Sequence, residues 1–256
     1  MSHDAERLGP KANPGRFVIL AAPRTGSNML CTIVGAHPDV LCHHELFNPR
    51  GIFTALEYRD LDLGWGTMAE RDRAPADFLE KVFATRLGHE IIGLKSTLYQ
   101  NRRALDVLIA DPTVQKIVLR RRNRVRTFIS TRIAEKLDQW EVYDRSTLVK
   151  ERPRVHVAVD DLLRHVDEME AYYVDICGRI SASGQVPLET SYEHLGHAEE
   201  QARVLAFLGA RPVSLPIAPR SVRQNDRGLR ELVANLDELT RALAGHPLEA
   251  ELLEER

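Results

Sequence analysis

Short apolar segments alternate with longer amphipathic ones along most of the chain. Within the amphipathic segment 124–137, apolar residues recur every three or four positions, which keeps one helix face apolar. Alternating strands and helices are typical of a parallel sheet covered by helices, so the pattern predicts an α/β fold. The predicted strands are 17–22, 91–95, 114–120, 155–159 and 186–192, and the predicted helices are 28–34, 76–87, 124–137, 160–181, 199–208 and 228–243.

Segment 51–75 fits neither pattern. It mixes Phe53, Tyr58 and Trp65 with many charges and three glycines, and we interpret 51–90 as a specificity region rather than framework. The chain shows no internal repeat and no Gly/Ser linker, so we predict a single domain over 1–256. The polar residues 1–15 are predicted to be flexible.

Charge and cysteine content narrow the functional classes. The 256 residues carry 35 basic and 37 acidic side chains, a net charge of −2, which argues against a protein that binds polyanions over its whole surface. Three cysteines without a Cys-x-x-Cys pair argue against a disulfide framework. The longest apolar run, 17–22, is too short to cross a bilayer, so we expect a cytoplasmic protein without a transmembrane segment.

The sharpest motif directly follows the first predicted strand. There the chain runs through a small-residue turn, 23–28, into an apolar helix start, which directs backbone N–H groups and a helix dipole at one anion site. The turn lacks the Gly-x-x-x-x-Gly-Lys-[Ser/Thr] pattern, which disfavours a metal-dependent kinase or ATPase. A plain capped turn is the alternative. The contributing residues are Arg24 as cation, Thr25 and Ser27 as hydroxyl donors, Gly26 for close approach, Asn28 as a helix cap, and Met29 at the helix start.

A second motif follows strand 114–120, which exits into an arginine cluster at 120–126. Ligands of parallel sheets bind at the carboxyl ends of the strands, and arginine suits a phosphate there. Arg122 and Ser130 are eight residues apart and are predicted to converge on one anion. Two alternatives remain open: a solvated charged face, and a nucleic-acid patch, which the net charge and the lack of interleaved aromatic residues disfavour.

Together the two motifs resemble the sulfotransferases that use 3′-phosphoadenosine 5′-phosphosulfate (PAPS), above all the bacterial carbohydrate and glycolipid branch. That family's first loop, Pro-[Arg/Lys]-[Ser/Thr]-Gly-[Ser/Thr]-[Asn/Thr], matches residues 23–28 at every position, and its Arg and Ser eight residues apart match Arg122 and Ser130. Later segments at 192–195, 206–209 and 220–239 are similar to the family's last strand, helix and nucleotide-closing loop.

The resemblance implies a P-loop-like three-layer fold and transfer of a sulfuryl group from PAPS, with 3′,5′-bisphosphoadenosine (PAP) as product and without a metal. The implied acceptor is a hydroxyl of a carbohydrate, glycolipid or small metabolite, not a nucleic acid, and homodimers occur in the family. By the resemblance, the first loop holds the 5′-phosphosulfate, with Arg24 on the bridging oxygen, and Arg122 with Ser130 holds the 3′-phosphate. Further nucleotide contacts are implied for Arg220, Arg223 and Gln224.

The acceptor hydroxyl needs a base. The eukaryotic family's Lys-Thr-His corresponds here to Lys95-Ser96-Thr97, so that histidine is absent. The resemblance to the bacterial branch implies Glu45 as the base, with a pKa raised by partial desolvation, and His44 as the next candidate, while His43 lies beside them. Lys95 either contacts the transferred group or ends its strand in solvent. Trp65, Tyr58, Trp140 and Tyr143 are predicted either to stack on a sugar ring or to be core residues.

Two rival functions follow from the same residues. One is an atypical nucleotide kinase or phosphate-binding protein on the same sheet. The other is a nucleic-acid-binding protein that uses the arginine cluster at 120–126.

Overall fold

A central sheet of five parallel strands organises the molecule. The computed structural model describes residues 15–254. Of residues 1–15, which were predicted to be flexible, 1–14 lie outside the described residues and Gly15 begins the first strand. The strand order is β2-β3-β1-β4-β5, and every pairing is parallel. The strands are β1 (Gly15–Ala21), β2 (Val40–His43), β3 (Ile91–Thr97), β4 (Val114–Arg120) and β5 (Leu188–Ser191).

Helices cover both faces of the sheet, which confirms the predicted fold class, an α/β protein with a central parallel sheet flanked by helices. Beyond the helices, three short 3-10 turns lie at Leu56–Tyr58, Arg145–Thr147 and Tyr192–His194. The helices are α1 (Ser27–Gly35), α2 (Met68–Arg73), α3 (Pro75–Ala84), α4 (Arg102–Ala110), α5 (Arg124–Leu137), α6 (Val159–Ala182), α7 (Ala198–Leu208), α8 (Leu229–Leu232), α9 (Leu236–Ala242) and α10 (Glu249–Leu253).

The centre of the sheet requires one glycine. A Cβ atom on Gly93 in β3 would lie 2.3 Å from ring atoms of Phe17 in the neighbouring β1. Phe17 is fully buried, so only a residue without a side chain leaves room for its ring. None of the described helices is both long and apolar enough to span a bilayer.

The prediction of a strand at 155–159 is wrong. Val155 makes only an isolated bridge to Val233, and α6 already begins at Val159. Val155 and Val157 are apolar because they pack in a cluster with α5, α8 and α9, away from the sheet. The strand that the sequence pattern missed is β2, which has only four residues and ends at His43, so it shows neither an alternation nor a long apolar run.

The predicted helix 228–243 is two helices. It is interrupted at Val233, whose backbone pairs with Val155, so α8 ends at Leu232 and α9 begins at Leu236. Helix α4 was not predicted, although Asn101 caps it by accepting from the backbone N–H of Ala104 at 3.1 Å.

Segment 51–90 is folded against the body of the molecule by a buried arginine. The guanidinium of Arg71 in α2 donates to the carbonyl oxygens of Leu46, Asn48 and Gly51 at 2.8, 3.1 and 3.0 Å. Arg71 is 1% exposed and also pairs with Asp72. This side chain therefore fixes the loop that follows β2.

Candidate active site

A cavity of about 620 Å³ opens at the carboxyl ends of the strands. Because β1 lies between β3 and β4, the chain segments that leave these three strands meet at one edge of the sheet. The cavity wall includes Arg24, Ser27, Lys95, Ser130 and Arg223, which belong to widely separated parts of the sequence.

The turn after β1 has the geometry expected of an anion site. Gly26 has φ of 92° and is the residue that precedes α1, and Arg24 also has positive φ, 62°. A Cβ on Gly26 would lie 2.4 Å from the ring of Tyr192, so the close approach of that ring and the left-handed backbone both require glycine. The first N–H groups of α1 have no partners within the helix and face a site for anionic oxygens.

Two side chains of this turn have other roles than those predicted. Thr25 is fully buried, and its hydroxyl donates to the carbonyl of Ala22 at 2.7 Å, so it stabilises the turn instead of facing the cavity. Asn28 does not cap α1, which has no side-chain cap. Its Oδ1 instead accepts from the ammonium group of Lys95. Ser27 and Met29 line the cavity.

The two sequence motifs face the same cavity. Arg24 Nε donates to Ser130 Oγ at 2.9 Å, across 106 residues of sequence. The same guanidinium donates to the carbonyl of Trp140 and, at 3.3 Å, to Gln224 Oε1. Burial and the nearby charges of Arg121 and Arg152 lower the pKa of Arg24 to about 10. Because other cations lie close to Arg24, an anion bound beside it would stabilise its charge.

Ser130 is arranged to donate its own proton. Its Oγ accepts from Arg24 and from Asn225 Nδ2, the latter at 3.0 Å. Since both neighbours are donors, the hydroxyl hydrogen remains for a further acceptor such as a phosphate oxygen.

The structure separates two adjacent arginines of the second motif. Arg122, which the resemblance implied, is exposed and is not among the cavity-lining residues. Its guanidinium lies 3.2 Å from His194 Nε2. Arg121 lines the cavity instead, with its guanidinium 4.6 Å from the centre of the Tyr192 ring.

Arg121 retains hydrogen-bonding capacity. Its Nη1 donates to the carbonyl of Arg24 at 3.3 Å, while its buried Nε has no hydrogen-bond partner within residues 15–254. Burial, together with the neighbouring charges of Arg126 and Arg223, lowers its pKa against the opposing effect of Tyr192 and Glu193. A buried guanidinium with an unpartnered N–H is suited to an anionic ligand.

Lys95 and Glu45 form an ion pair on the other side of the cavity. Lys95 Nζ lies 2.9 Å from Glu45 Oε1, and Lys95 is 2% exposed, so it does not end its strand in solvent. Asn48 Nδ2 donates to Glu45 Oε2 at 2.6 Å. Burial alone would raise the pKa of Glu45, but the charge of Lys95 and hydrogen bonds from Lys95, Asn48 and Gln100 outweigh it, and the pKa is lowered. The expectation of a raised pKa is therefore wrong.

The two adjacent histidines differ in environment. His43 is fully buried, its Nδ1 accepts from the backbone N–H of Ala55 at 3.2 Å, and its ring packs edge-on against Trp65. Burial, with a smaller effect of His89, lowers its pKa to about 3. His44 lines the cavity.

The four aromatic candidates also differ in whether they lie in the core or near the cavity. Trp65 is a core residue that contacts Phe78, and Tyr58 packs at the edge of that core, whereas Trp140 lines the cavity. Tyr143 contacts His44 through its hydroxyl.

The C-terminal loop closes one side of the cavity. Val222 N–H donates to the carbonyl of Val142 at 2.8 Å, and Gln224 Nε2 donates to the carbonyl of Trp140 at 3.2 Å. Arg223 and Gln224 line the cavity, whereas the exposed side chain of Arg220 is paired with Glu57 outside it. Residues 140–142 and 219–225 thus form one wall of the cavity.

No group of three or more His, Cys, Asp or Glu side chains in the described part of the chain is arranged to hold a metal ion.

The fold is an α/β protein with one cavity at the ends of neighbouring strands, and the cationic side chains of Arg24 and Arg121 line that cavity. No family model matches the chain. The chain is 25% identical over 243 residues to Nodulation protein H of Rhizobium tropici, covering 92% of each chain. It is 26% identical over 246 residues to Nodulation protein H of Rhizobium meliloti (strain 1021), covering 91% of this chain and 93% of the relative.

Among solved structures, the chain resembles a sulfotransferase from Alicyclobacillus acidocaldarius. The TM-score is 0.47 at 21% identity, over 94% of this chain and 95% of the other.

Proposed function

We propose that the protein is a sulfotransferase that moves a sulfuryl group from PAPS to a hydroxyl of a carbohydrate, glycolipid or other small metabolite. The observation that carries the proposal is the hydrogen bond from Arg24 to Ser130. It brings an anion site at the start of α1 within one side-chain length of a second anion site beside Ser130 of α5. One nucleotide with phosphates at both ends of its ribose matches two such sites.

The residues present fit the donor. The guanidinium of Arg121, which lines the cavity, and the free proton of Ser130 would bind the 3′-phosphate. The N–H groups at the start of α1 and the side chain of Ser27 would bind the 5′-phosphate. Arg121 thus replaces Arg122 in the role that the resemblance implied.

The chemistry needs positioning and charge stabilisation more than a cofactor. Sulfuryl transfer in line from a phosphate oxygen resembles phosphoryl transfer, in which fixed cations stabilise charge on the equatorial and leaving oxygens. Arg24 would face the bridging oxygen, and the buried ammonium of Lys95 would face the transferred group from the β3 side. His44 and Glu45 are the side chains in position to take the acceptor proton.

Isothermal titration calorimetry tests donor recognition. We expect PAP to bind without Mg²⁺ and to bind more tightly than AMP, which lacks the 3′-phosphate. Preference for ATP with Mg²⁺ would instead identify the kinase-like rival.

Product formation tests the transfer itself. PAPS is incubated with the protein and a metabolite extract, and mass spectrometry searches for compounds that gain one sulfuryl group. The matched control is the Arg24→Met variant, which keeps the length of the side chain and removes its charge. Absence of sulfated products with the wild type, despite PAP binding, would contradict the proposed activity.

The nucleic-acid alternative predicts different behaviour. Affinity for duplex DNA or RNA would fall steeply with salt and would be unaffected by Arg24→Met. Within the structure, Arg120 and Arg124 of the cluster already pair with the acidic side chains of Glu170 and Glu251, which leaves less of the cluster for phosphates.

A further inference from the structure

A chain of hydrogen bonds connects Glu141 to His44 through Tyr143. The Tyr143 hydroxyl donates to Glu141 Oε2 at 2.9 Å and lies 3.2 Å from His44 Nδ1. A phenol has a single proton, and here the carboxylate of Glu141 accepts it. The Tyr143 oxygen is therefore an acceptor toward His44, which places a proton on Nδ1.

A second neighbour leads to the same assignment. His44 Nδ1 lies 3.3 Å from Asn28 Oδ1. That atom also accepts from the ammonium group of Lys95, which can only donate, so it is the amide oxygen. Both contacts of Nδ1 are acceptors, and the neutral ring accordingly has its lone pair on Nε2.

Burial and the charged groups around His44 favour the neutral form of its ring. Burial, followed by the charge of Lys95, lowers the pKa of His44 well below its usual value. Glu141 is the carboxylate of this network, and it is held by Arg59, whose Nη1 lies 2.6 Å from Glu141 Oε1. Burial and Glu141 raise the pKa of Tyr143, which therefore stays protonated. The titratable and charged groups facing the His44 ring are Lys95, Arg59, His43, Arg220, Tyr143 and Glu141.

Both carboxylate oxygens of Glu45 already have hydrogen-bonding partners. One of its oxygens pairs with Lys95 and the other accepts from Asn48. Its lowered pKa makes it a weaker proton acceptor than an ordinary carboxylate. In this arrangement Glu45 orients Lys95, and the neighbouring imidazole is the group with a free lone pair.

We infer that Tyr143 and Glu141 are positioning residues that present Nε2 of His44 as the base for the acceptor hydroxyl. The inference rests on the proposed function. In the step, the acceptor oxygen forms a bond to sulfur as the bond from sulfur to the 5′-phosphate oxygen breaks, and PAP leaves. The hydroxyl proton moves to His44 Nε2, and the imidazolium is stabilised through Tyr143 by the Glu141 carboxylate, as in other relays of this kind. Water later takes the proton.

The test is NMR of the full chain with ¹⁵N-labelled histidine, alone and with PAP. A His44→Gln sample assigns the His44 signals among the ten histidines. We expect a protonated Nδ1 and an unprotonated Nε2 in the wild type, and a higher His44 pKa when PAP adds negative charge to the cavity. In the PAP complex, Tyr143→Phe should lower the His44 pKa by about one unit, the effect of one lost charge-assisted hydrogen bond.

The matched control is Tyr58→Phe, because Tyr58 is the phenol of another tyrosine–histidine pair, 3.5 Å from His89 Nε2 and outside the cavity wall. It should leave the His44 signals unchanged. A proton on Nε2 instead of Nδ1 in the wild type, or an unchanged His44 pKa in Tyr143→Phe, would overturn the inference.

Turnover with PAPS and an acceptor from the product screen gives a second readout. His44→Gln should abolish turnover with PAP affinity retained, whereas Glu45→Gln should retain a measurable rate. The reverse ranking would overturn the assignment of the base without affecting the proposed function. If the wild type does not bind PAP, the proposed function is contradicted, whatever the protonation state of His44.

Discussion

Replacing Arg121 with methionine should remove most of the discrimination between PAP and AMP. Arg121 lines the cavity, whereas the adjacent Arg122 is exposed and its guanidinium lies 3.2 Å from His194 Nε2. Methionine keeps much of the apolar stem of the side chain and removes the guanidinium. The Arg122→Met variant is the matched control, because it makes the same chemical change one residue away.

The magnitude follows from the kind of hydrogen bond lost. A hydrogen bond to a charged group contributes about 1.5 to 3 kcal/mol, so PAP affinity should fall roughly 10- to 150-fold in Arg121→Met. AMP affinity should change little, since AMP has no 3′-phosphate for Arg121 to bind. Loss of an exposed contact is worth at most about 1 kcal/mol, so Arg122→Met should weaken PAP binding less than about fivefold.

Calorimetry with PAP and AMP on the three proteins measures all these values. Thermal unfolding of the same samples shows that each variant is folded. A loss of PAP affinity in Arg122→Met that exceeds the loss in Arg121→Met would refute the assignment drawn from the cavity wall.

Three further changes test the structure around the site. In Lys95→Met the pKa of Glu45 should rise, because burial is no longer outweighed. In the wild type, the lowered pKa of Glu45 contributes stability that is present above about pH 4.3 and is lost as pH falls through the folded pKa. Urea unfolding should therefore show that Lys95→Met lowers the free energy of unfolding more at pH 7 than near pH 4. Arg71→Met leaves three buried carbonyls without their donor and should lower the free energy of unfolding by roughly 3 kcal/mol in the same assay. Gly26→Ala should weaken PAP binding in the calorimeter. Adding Tyr192→Ala to that variant should partly restore binding, because it removes the ring that lies 2.4 Å from the new Cβ. If binding is not restored, the positive φ of residue 26 alone is responsible for the loss.

Periodicity predicted the elements that have one apolar face. Helix α5 begins and ends at the predicted residues, Arg124 and Leu137, and its apolar side chains recur at helical spacing. Strand β2 was missed because it has only four residues and ends at His43, whereas the equally buried β3 is seven residues long. Segment 155–159 looked like a strand because Val155 and Val157 alternate toward a cluster of helices rather than toward the sheet.

The site was predictable as far as local chemistry determines it. The turn at 23–28 has its own backbone geometry, so glycine and the cation at Arg24 could be recognised from sequence. The choice between Arg121 and Arg122 could not, because β4 ends at Arg120 and no strand alternation extends beyond it. The contact of Tyr143 with His44 joins residues 99 positions apart, and nothing near either residue in the sequence indicates it.

The meeting of the two motifs depends on sheet order, which the sequence pattern did not provide. Strands β1 and β4 are neighbours and in register, with Ala21 opposite Leu119, so both chains leave the sheet at the same level. From there Arg24 reaches Ser130 in the first half of α5. If another strand lay between β1 and β4, the two loops would be separated by a further strand spacing of about 4.8 Å, beyond the reach of that hydrogen bond. The same two motifs on a different strand order would therefore make two separate anion sites, and it is the adjacency of β1 and β4 that makes them one.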